Sequence, residues 1–373
     1  MKLKHLKLVG YRNYEELSLD LSDGTNIFIG RNAQGKTNIL ESVCYASMGS
    51  SFRTSTDNDL IMWNHPGSSV SIDFQRMGVD NKLEFIFQRE KRRQIIHNGS
   101  KIKAKELIGI INVVLFSPED LTLIKGAPSE RRRFLDMEIS QASPAYYGEL
   151  IKYNRLLQQR NTLLKSIREG KAQASMLEMW DSQLVDSGIK IIGKRLETVR
   201  KLNMLANLMQ RRISTNEENL SLSYCIKGYT GVVDKIDEKM ILWYNETLRE
   251  VTREDIYRGS TSIGPHRDDI QIYVNGIDLK AFGSQGQQRT GVLSMKLSEL
   301  EFIRSEKGEY PILLLDDVMS ELDMNRRQQL LEFIKKEHIQ TIITATDKAY
   351  FPEDANSVFY KVSGGTVEVS DRM

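Results

Sequence analysis

The chain has 373 residues, 40% of them hydrophobic and 27% charged, a composition that fits a folded globular protein and excludes a disordered or fibrous one. A formal net charge of +2 is close to neutral, so attraction to nucleic acid can come only from local clustering. Cys44 and Cys225 stand far apart in no metal-ligand spacing, and no apolar run is long enough for a signal peptide or a membrane span, so a soluble protein of the reducing cytoplasm with no membrane partner is expected.

Residues 1 to about 125 alternate short apolar strands with turns: LKLVGY, LSLDL, NIFIG, SVSIDF, KLEFIF, QIIHNG and NVVLF. From about Ser129 to Arg253 the texture is mostly helical. Leu177, Trp180, Leu184, Ile191, Ile192, Leu196 and Val199 fall mostly at spacings of three, four or seven, which marks one apolar helical face. A similar segment from Glu130 to Ile167 is interrupted near Ser143-Pro144, and Gly170 is the expected reversal point between the two. Two readings stay open for this region, a helical subdomain packed on the core and a projecting arm. From about Ser260 strands return as DIQIYVNG, ILLLDD and TIITAT, interleaved with helices.

Between NIFIG and the helix-like TNILESV lies Gly30-Arg31-Asn32-Ala33-Gln34-Gly35-Lys36-Thr37-Asn38, which fits GxxxxGK[ST] at every fixed position. Glycines at a strand-to-helix crossing let backbone N–H groups turn toward one point, where the helix start adds partial positive charge. The expectation is an ATP site. Lys36 reaches the β and γ phosphates, the Thr37 hydroxyl ligates Mg2+, and the amides from Asn32 to Thr37 line the cradle. ILLLDD supplies the second acid: an apolar run ending in Asp316 predicts a buried strand that stops at the metal, and Asp317 is placed to orient the attacking water. About 280 residues separate Lys36 from Asp316, so a large insertion interrupts one nucleotide site. The helical zone is that insertion.

Upstream of ILLLDD, Ser284-Gln285-Gly286-Gln287-Gln288 reads as an N-cap opening a helix that runs to about Arg304. Alone, this is ordinary capping. The order P-loop, SQGQQ helix, LLLDD and Ser320-Glu321-Leu322-Asp323 resembles an ABC-type ATPase of the SMC-like group. The phrases LKLVGYRNYEELSLDL, SPEDLTLIKGAPSERRRFLD, SIGPHRDD and FGSQGQQRT are, in this order, similar to the bacterial RecF family of recombination mediators.

The resemblance covers essentially the whole chain. It implies an α/β fold, an ABC-type P-loop ATPase head with mixed β-sheets interrupted by a mostly helical insertion, with the head at 1–125 and 256–373 and the insertion at 126–255. It also implies an ATP-dependent homodimer in which Ser284, Gly286 and Gln287 of one copy close on the nucleotide of the other, while Arg12 lies near adenine and phosphate and Ser320 to Asp323 communicate between sites. Such a dimer binds DNA at single-strand gaps and helps RecO and RecR load recombinase in repair and replication restart. The chain departs from the ABC pattern in three places: SQGQQ replaces SGGQ; Asp317 stands where many relatives have glutamate, which suggests slow hydrolysis; and Thr344 or Thr346 stands where a switch histidine often sits. Other functional classes, a transporter ATPase subunit or a small-molecule kinase, would leave the basic helical zone or SQGQQ without a role.

Between Ile151 and Arg212 there are 13 Lys or Arg against 5 Asp or Glu. Lys152, Arg155, Arg160, Lys165 and Arg168 lie on one candidate helix and Lys190, Lys194, Arg195, Arg200 and Lys201 on the next. Lys152, Arg155, Lys194 and Arg195 are the expected DNA contacts, made to phosphates rather than to base edges. Solvated helix faces carry similar charge. Arg131, Arg132 and Arg133 could meet phosphate or form ion pairs with Glu130, Asp136 and Glu138, and the structural role is favoured. Arg53 is a further candidate for nucleotide or DNA.

Overall fold

The structure, a computed structural model, describes residues 1–231, 235–352 and 356–372. The chain forms two compact units, Met1–Asp120 with Glu299–Met373, and Leu121–Ser298. The second boundary lies at Ser298 rather than at 255, because the strand Asp269–Val274 pairs with Leu220–Cys225 and so belongs with the middle of the chain. The sequence pattern places DIQIYVNG with the head and gives no strand expectation for LSLSYC.

The first unit holds two six-stranded sheets. In one, antiparallel throughout, the strands run Tyr14–Asp20, Lys2–Tyr11, Gly67–Arg76, Val79–Gln88, Gln94–His97 and Ser100–Ile102. The other has Ser357–Ser363, Thr25–Ile29, Thr341–Ala345, Ile312–Asp316 and Val113–Phe116 in parallel, with Thr366–Arg372 antiparallel at its edge. The central strands TIITA and ILLLD are buried at every residue, which is why they read as unbroken apolar or small-residue runs. The helix Lys36–Met48 packs against strands of both sheets. Ile39, Leu40, Val43, Cys44, Tyr45 and Ala46 are all buried, so this helix is apolar around most of its circumference. Its N-terminus and the C-terminal ends of the parallel strands meet at one sheet edge, the position at which open α/β sheets bind ligands.

The second unit contains the helices Pro128–Ala142, Pro144–Arg168, Leu177–Ile213, Glu238–Glu250 and Thr252–Arg258 beside a three-stranded antiparallel sheet. Ser143 caps the second helix by accepting the amide of Tyr146, with Pro144 at the first helical position. Gly170, at φ 72°, begins the reversal into the 37-residue helix, which is roughly 55 Å long. The two long helices pack on each other, and Tyr153, Leu156 and Leu164 on one and Leu184, Ile191, Ile192 and Leu202 on the other are buried. The helix Gln285–Lys307 carries the chain from the second unit back into the first. Among the described residues no helix is long and apolar enough to cross a membrane.

Candidate nucleotide site

Gly30 follows the strand Thr25–Ile29, and Gly35 caps the helix that begins at Lys36. At Gly35, φ is +112° and a Cβ would sit 2.6 Å from Asn13 Nδ2 and 2.8 Å from the Tyr14 hydroxyl, so any side chain would displace the loop. The loop is pinned from outside. Asn13 donates to the Gln34 carbonyl at 3.0 Å and accepts from Asn38 at 2.8 Å, while the Gln34 side chain accepts the Gly364 amide at 2.7 Å. Lys36, only 6% exposed, donates its ammonium to the carbonyls of Gly30 at 2.5 Å and Arg31 at 2.9 Å. A cation is thereby held inside the curve of the loop. Arg31, Asn32 and Ala33 are exposed at its crest, Ala33 with φ 64°.

The second acid meets the loop as expected. Thr37 Oγ1 donates to Asp316 Oδ1 at 3.0 Å, and Thr344 Oγ1 donates to the same oxygen at 2.7 Å. Thr344 also receives the Asp317 amide on its hydroxyl at 2.9 Å. This threonine, considered in the sequence only as the replacement for a switch histidine, therefore sets the position of both acids. Thr346 instead lines a cavity of about 530 Å³ with Gly30, Arg31, Gln34, Lys348 and Lys361. Asp317 adopts a left-handed conformation at φ 53°, and its Oδ1 is buried without a hydrogen-bond partner.

Burial raises the Asp316 carboxyl above the ordinary aspartate range, and the hydroxyls of Thr344 and Thr37 oppose the shift. Asp317 is raised by burial too, with Lys36 pulling it down and Asp316 pushing it up. Burial lowers Lys36, against the attraction of Asp317 and then Asp316. One cation and two carboxylates in a partly dry site are each partly compensated by the others, and the uncompensated oxygen of Asp317 points to a further polar group.

Arg12 forms a bidentate pair with Glu41 at 2.8 and 2.6 Å and donates to the Asp59 carbonyl at 2.8 Å. Glu41 is fully buried and also accepts from Ser51 at 2.5 Å. Arg53 reaches the same acid at 3.6 Å and donates to Asn38 Oδ1 at 2.7 Å, beside the P-loop. Two guanidiniums are thus tethered to the P-loop helix through one acid, a relationship invisible in the phrase SSFRT. Tyr11 and Tyr14, flanking Arg12, are fully buried and belong to the core.

In the second unit, Ser284 Oγ accepts the Gln287 amide at 3.2 Å and Gln287 Oε1 accepts the Ser284 amide at 3.1 Å, a reciprocal capping box. The Gln287 side-chain amide also donates to Glu218 at 3.0 Å, Ser284 is exposed, and Gly286 is partly exposed. Ordinary capping is therefore realised, with the hydroxyl at the surface.

Arg195 is a correction among the expected DNA contacts. It is 2% exposed, forms a bidentate pair with Asp136, and donates to Tyr224 and to the Pro265 carbonyl at 2.6 Å. Arg160 is likewise fully buried, held by Asp181 at 2.6 Å and Asp255 at 2.7 Å. Arg160 Nη2 is left without a hydrogen-bond partner, but both guanidiniums are buried against carboxylates and cannot meet a phosphate. Lys152 and Arg155 are exposed, Lys152 with Glu149 at 3.6 Å, and Lys194 is half-buried in a pair with Glu197 at 2.9 Å. The structural role for Arg131 holds, but its partner is Asp269 at 2.7 Å rather than a nearby acid, and Arg132 donates to the Asp268 carbonyl.

Residues 2–368 match the family model for the RecF/RecN/SMC N terminal domain. The chain is 43% identical over 372 residues to the DNA replication and repair protein RecF of Clostridium novyi (strain NT), covering 98% of this chain and 99% of that one. It is 45% identical over 373 residues to the protein of the same name from Alkaliphilus oremlandii (strain OhILAs), covering 98% and 99%. Among solved structures, the recombination mediator protein RecF-ATPrS in the RecFOR pathway superposes with a TM-score of 0.91 at 36% identity, over 99% of this chain and 98% of that one. An Smc head domain from Pyrococcus furiosus, with an extended coiled coil and bound to the C-terminal domain of ScpA, matches at a TM-score of 0.58 and 16% identity over 99% and 96%, a likeness of fold alone. A P-loop facing a distant strand-end acid, on a chain that matches these relatives from end to end, establishes that the protein belongs to the RecF family of the RecF/RecN/SMC group.

Proposed function

We propose that the protein is a DNA-repair ATPase whose ATP-bound homodimer holds DNA and whose slow hydrolysis releases it. The observation that carries this reading is the convergence of Lys36, Thr37, Asp316 and Asp317 at one sheet edge. Lys36 and the loop amides suit the β and γ phosphates of ATP, and Asp317 suits the orientation of a water. The donor set of Thr37 hydroxyl and Asp316 carboxylate is hard oxygen, which fits Mg2+ completed by water and phosphate. Bound there, Mg2+ would neutralise charge on the phosphates.

The relatives' printed names support the physiological setting: DNA replication and repair for the sequences, recombination mediation in the RecFOR pathway for the ATP-bound structure. By that likeness RecO and RecR are the partners, the cytoplasm is the site of action, and Ser284, Gly286 and Gln287 serve the nucleotide of a second copy. The exposed Ser284 hydroxyl leaves room for that role. Lys152, Arg155 and Lys194 remain the proposed phosphate contacts in the second unit.

Light scattering with ATP, with ADP and without nucleotide tests the switch. ATP should raise the mass to that of a dimer, and Lys36→Ala should abolish the rise together with nucleotide binding. A wild-type mass that ignores ATP would overturn the reading.

A further inference from the structure

Arg89 to Glu106 carries seven Lys or Arg against two acids, in the first unit and outside the helical zone. These residues form the last two strands of the antiparallel sheet and the turns around them. Register places much of the charge at one end. Ile95 pairs with Ile102, so Lys103 lies opposite Gln94, next to the turn that holds Lys91 and Arg92. Ile95 is buried and Ile102 partly so, and strand alternation puts Lys101 and Lys103 on the other, solvent-facing side. Lys91, Arg92, Lys101, Lys103 and Lys105 are all exposed, and among the described residues none of the five is in an ion pair. Of the nearby acids, Asp57 is occupied by Arg93 at 3.0 Å, Glu106 accepts the Lys103 amide, and Glu90 is exposed in the turn.

Trp63 stands at the same end. It is 91% exposed, the most exposed large hydrophobic side chain among the described residues. Its turn is rigidly held: Met62 donates its amide to Gly10 at 2.8 Å, and Arg89 donates to the carbonyls of His65 at 3.1 Å and Met62 at 3.2 Å. Gly67 then enters the sheet opposite Gln88, one residue before Arg89. A solvent-facing indole on a hydrogen-bonded turn, at the same sheet end as unpaired cations, is the combination that grips single-stranded nucleic acid, where bases stack on aromatics and cations follow the phosphates.

We propose that this end of the sheet binds a DNA strand, with Lys91, Arg92 and Lys103 on phosphates and an unpaired base stacked on Trp63. The inference rests on the DNA-binding reading above and adds the surface that takes the unpaired strand. The charge surplus favours a polyanion over a protein partner.

Fluorescence anisotropy with labelled oligonucleotides, in the full-length protein with ATP, tests it. Trp63→Ala should weaken binding to single-stranded or gapped DNA about tenfold and to fully paired duplex much less, with Trp63→Phe restoring most of the loss. Lys91→Glu with Arg92→Glu should weaken both and reduce the slope of log affinity against log salt by about 1.5. Unchanged nucleotide affinity verifies folding of each variant. If the wild type binds none of these DNAs, the DNA reading itself falls. If it binds them and the variants bind equally well, only this surface is overturned, and the exposed tryptophan is left to a protein partner.

Discussion

Thr37 donates its hydroxyl to Asp316 across 3.0 Å although 279 positions separate the two residues in the chain. The contact closes the nucleotide site within one unit, since strand Ile312–Asp316 lies one strand away from Thr25–Ile29. It also has an energetic sign. Burial raises the Asp316 carboxyl, so its ionised form at neutral pH costs stability while nucleotide chemistry needs it.

Asp316→Asn should therefore be as stable as the wild type or more so without nucleotide, because the amide oxygen can still accept from Thr37 and Thr344. Hydrolysis should fall at least about a hundredfold. Chemical denaturation read beside a phosphate-release assay checks both. A variant that is clearly destabilised would show that the carboxylate charge is structural.

Asp317→Asn should keep ATP binding and prolong the dimer while hydrolysis falls by about 10² or more. The raised carboxyl predicts that wild-type hydrolysis declines on the acid side at a pH above the ordinary aspartate range, because the protonated acid is no longer a base for the attacking water. The variant should lose the part of that limb that belongs to Asp317 and keep the part that belongs to Asp316, whose carboxyl is raised as well. Rates measured across pH 4 to 8 with nucleotide held saturating decide it.

The parts of this site that were legible in the sequence are local in the chain. GRNAQGKTN and ILLLDD each announce themselves because a buried strand must be apolar and a phosphate cradle must contain glycine. Thr344 was weighed only as a missing histidine, since its link to Asp316 runs between neighbouring strands and leaves no spacing signal. Arg195 adds to the charge count of its helix but not to its charged face. It lies three or four residues from Ile191, Ile192 and Val199, on the apolar stripe itself, and Arg160 likewise sits four residues from both Leu156 and Leu164. A cation within a buried stripe signals an internal ion pair. The basic hairpin lies outside the stretch from Ile151 to Arg212 that carries the helical charge surplus.

Arg195→Ala should cost about 3–5 kcal/mol, because it strands Asp136 and the Pro265 carbonyl in a buried site. It should leave the DNA affinity of the folded fraction unchanged in the cold. Arg155→Ala, at an exposed position, should do the reverse, weakening DNA binding a few-fold with no shift in the denaturation midpoint. Equal effects of the two on DNA would contradict the division drawn here between buried and exposed cations.

His266 and Asp268 give the second unit opposed pH dependences. His266 accepts from the Tyr153 hydroxyl at 2.7 Å and donates to the Thr261 carbonyl at 3.0 Å, and burial lowers its pKa to about 4. Its contribution is complete above the unfolded value of 6.5 and is lost as pH falls toward 4. Asp268, fixed by Tyr224 at 2.7 Å and the Lys227 amide at 3.0 Å, is raised by burial to about 6. Its contribution is complete below 3.8 and is lost as pH rises through 6. Between pH 4 and 6 the two nearly cancel. His266→Gln removes one arm, so its stability deficit against the wild type should shrink by about 3 kcal/mol on going from pH 7 to pH 4. Trp180 and Trp243 lie in this unit and Trp63 in the other, so urea unfolding followed by tryptophan fluorescence in a Trp63→Phe background reports on the second unit alone. A deficit that stays constant across that range would mean His266 does not titrate with folding.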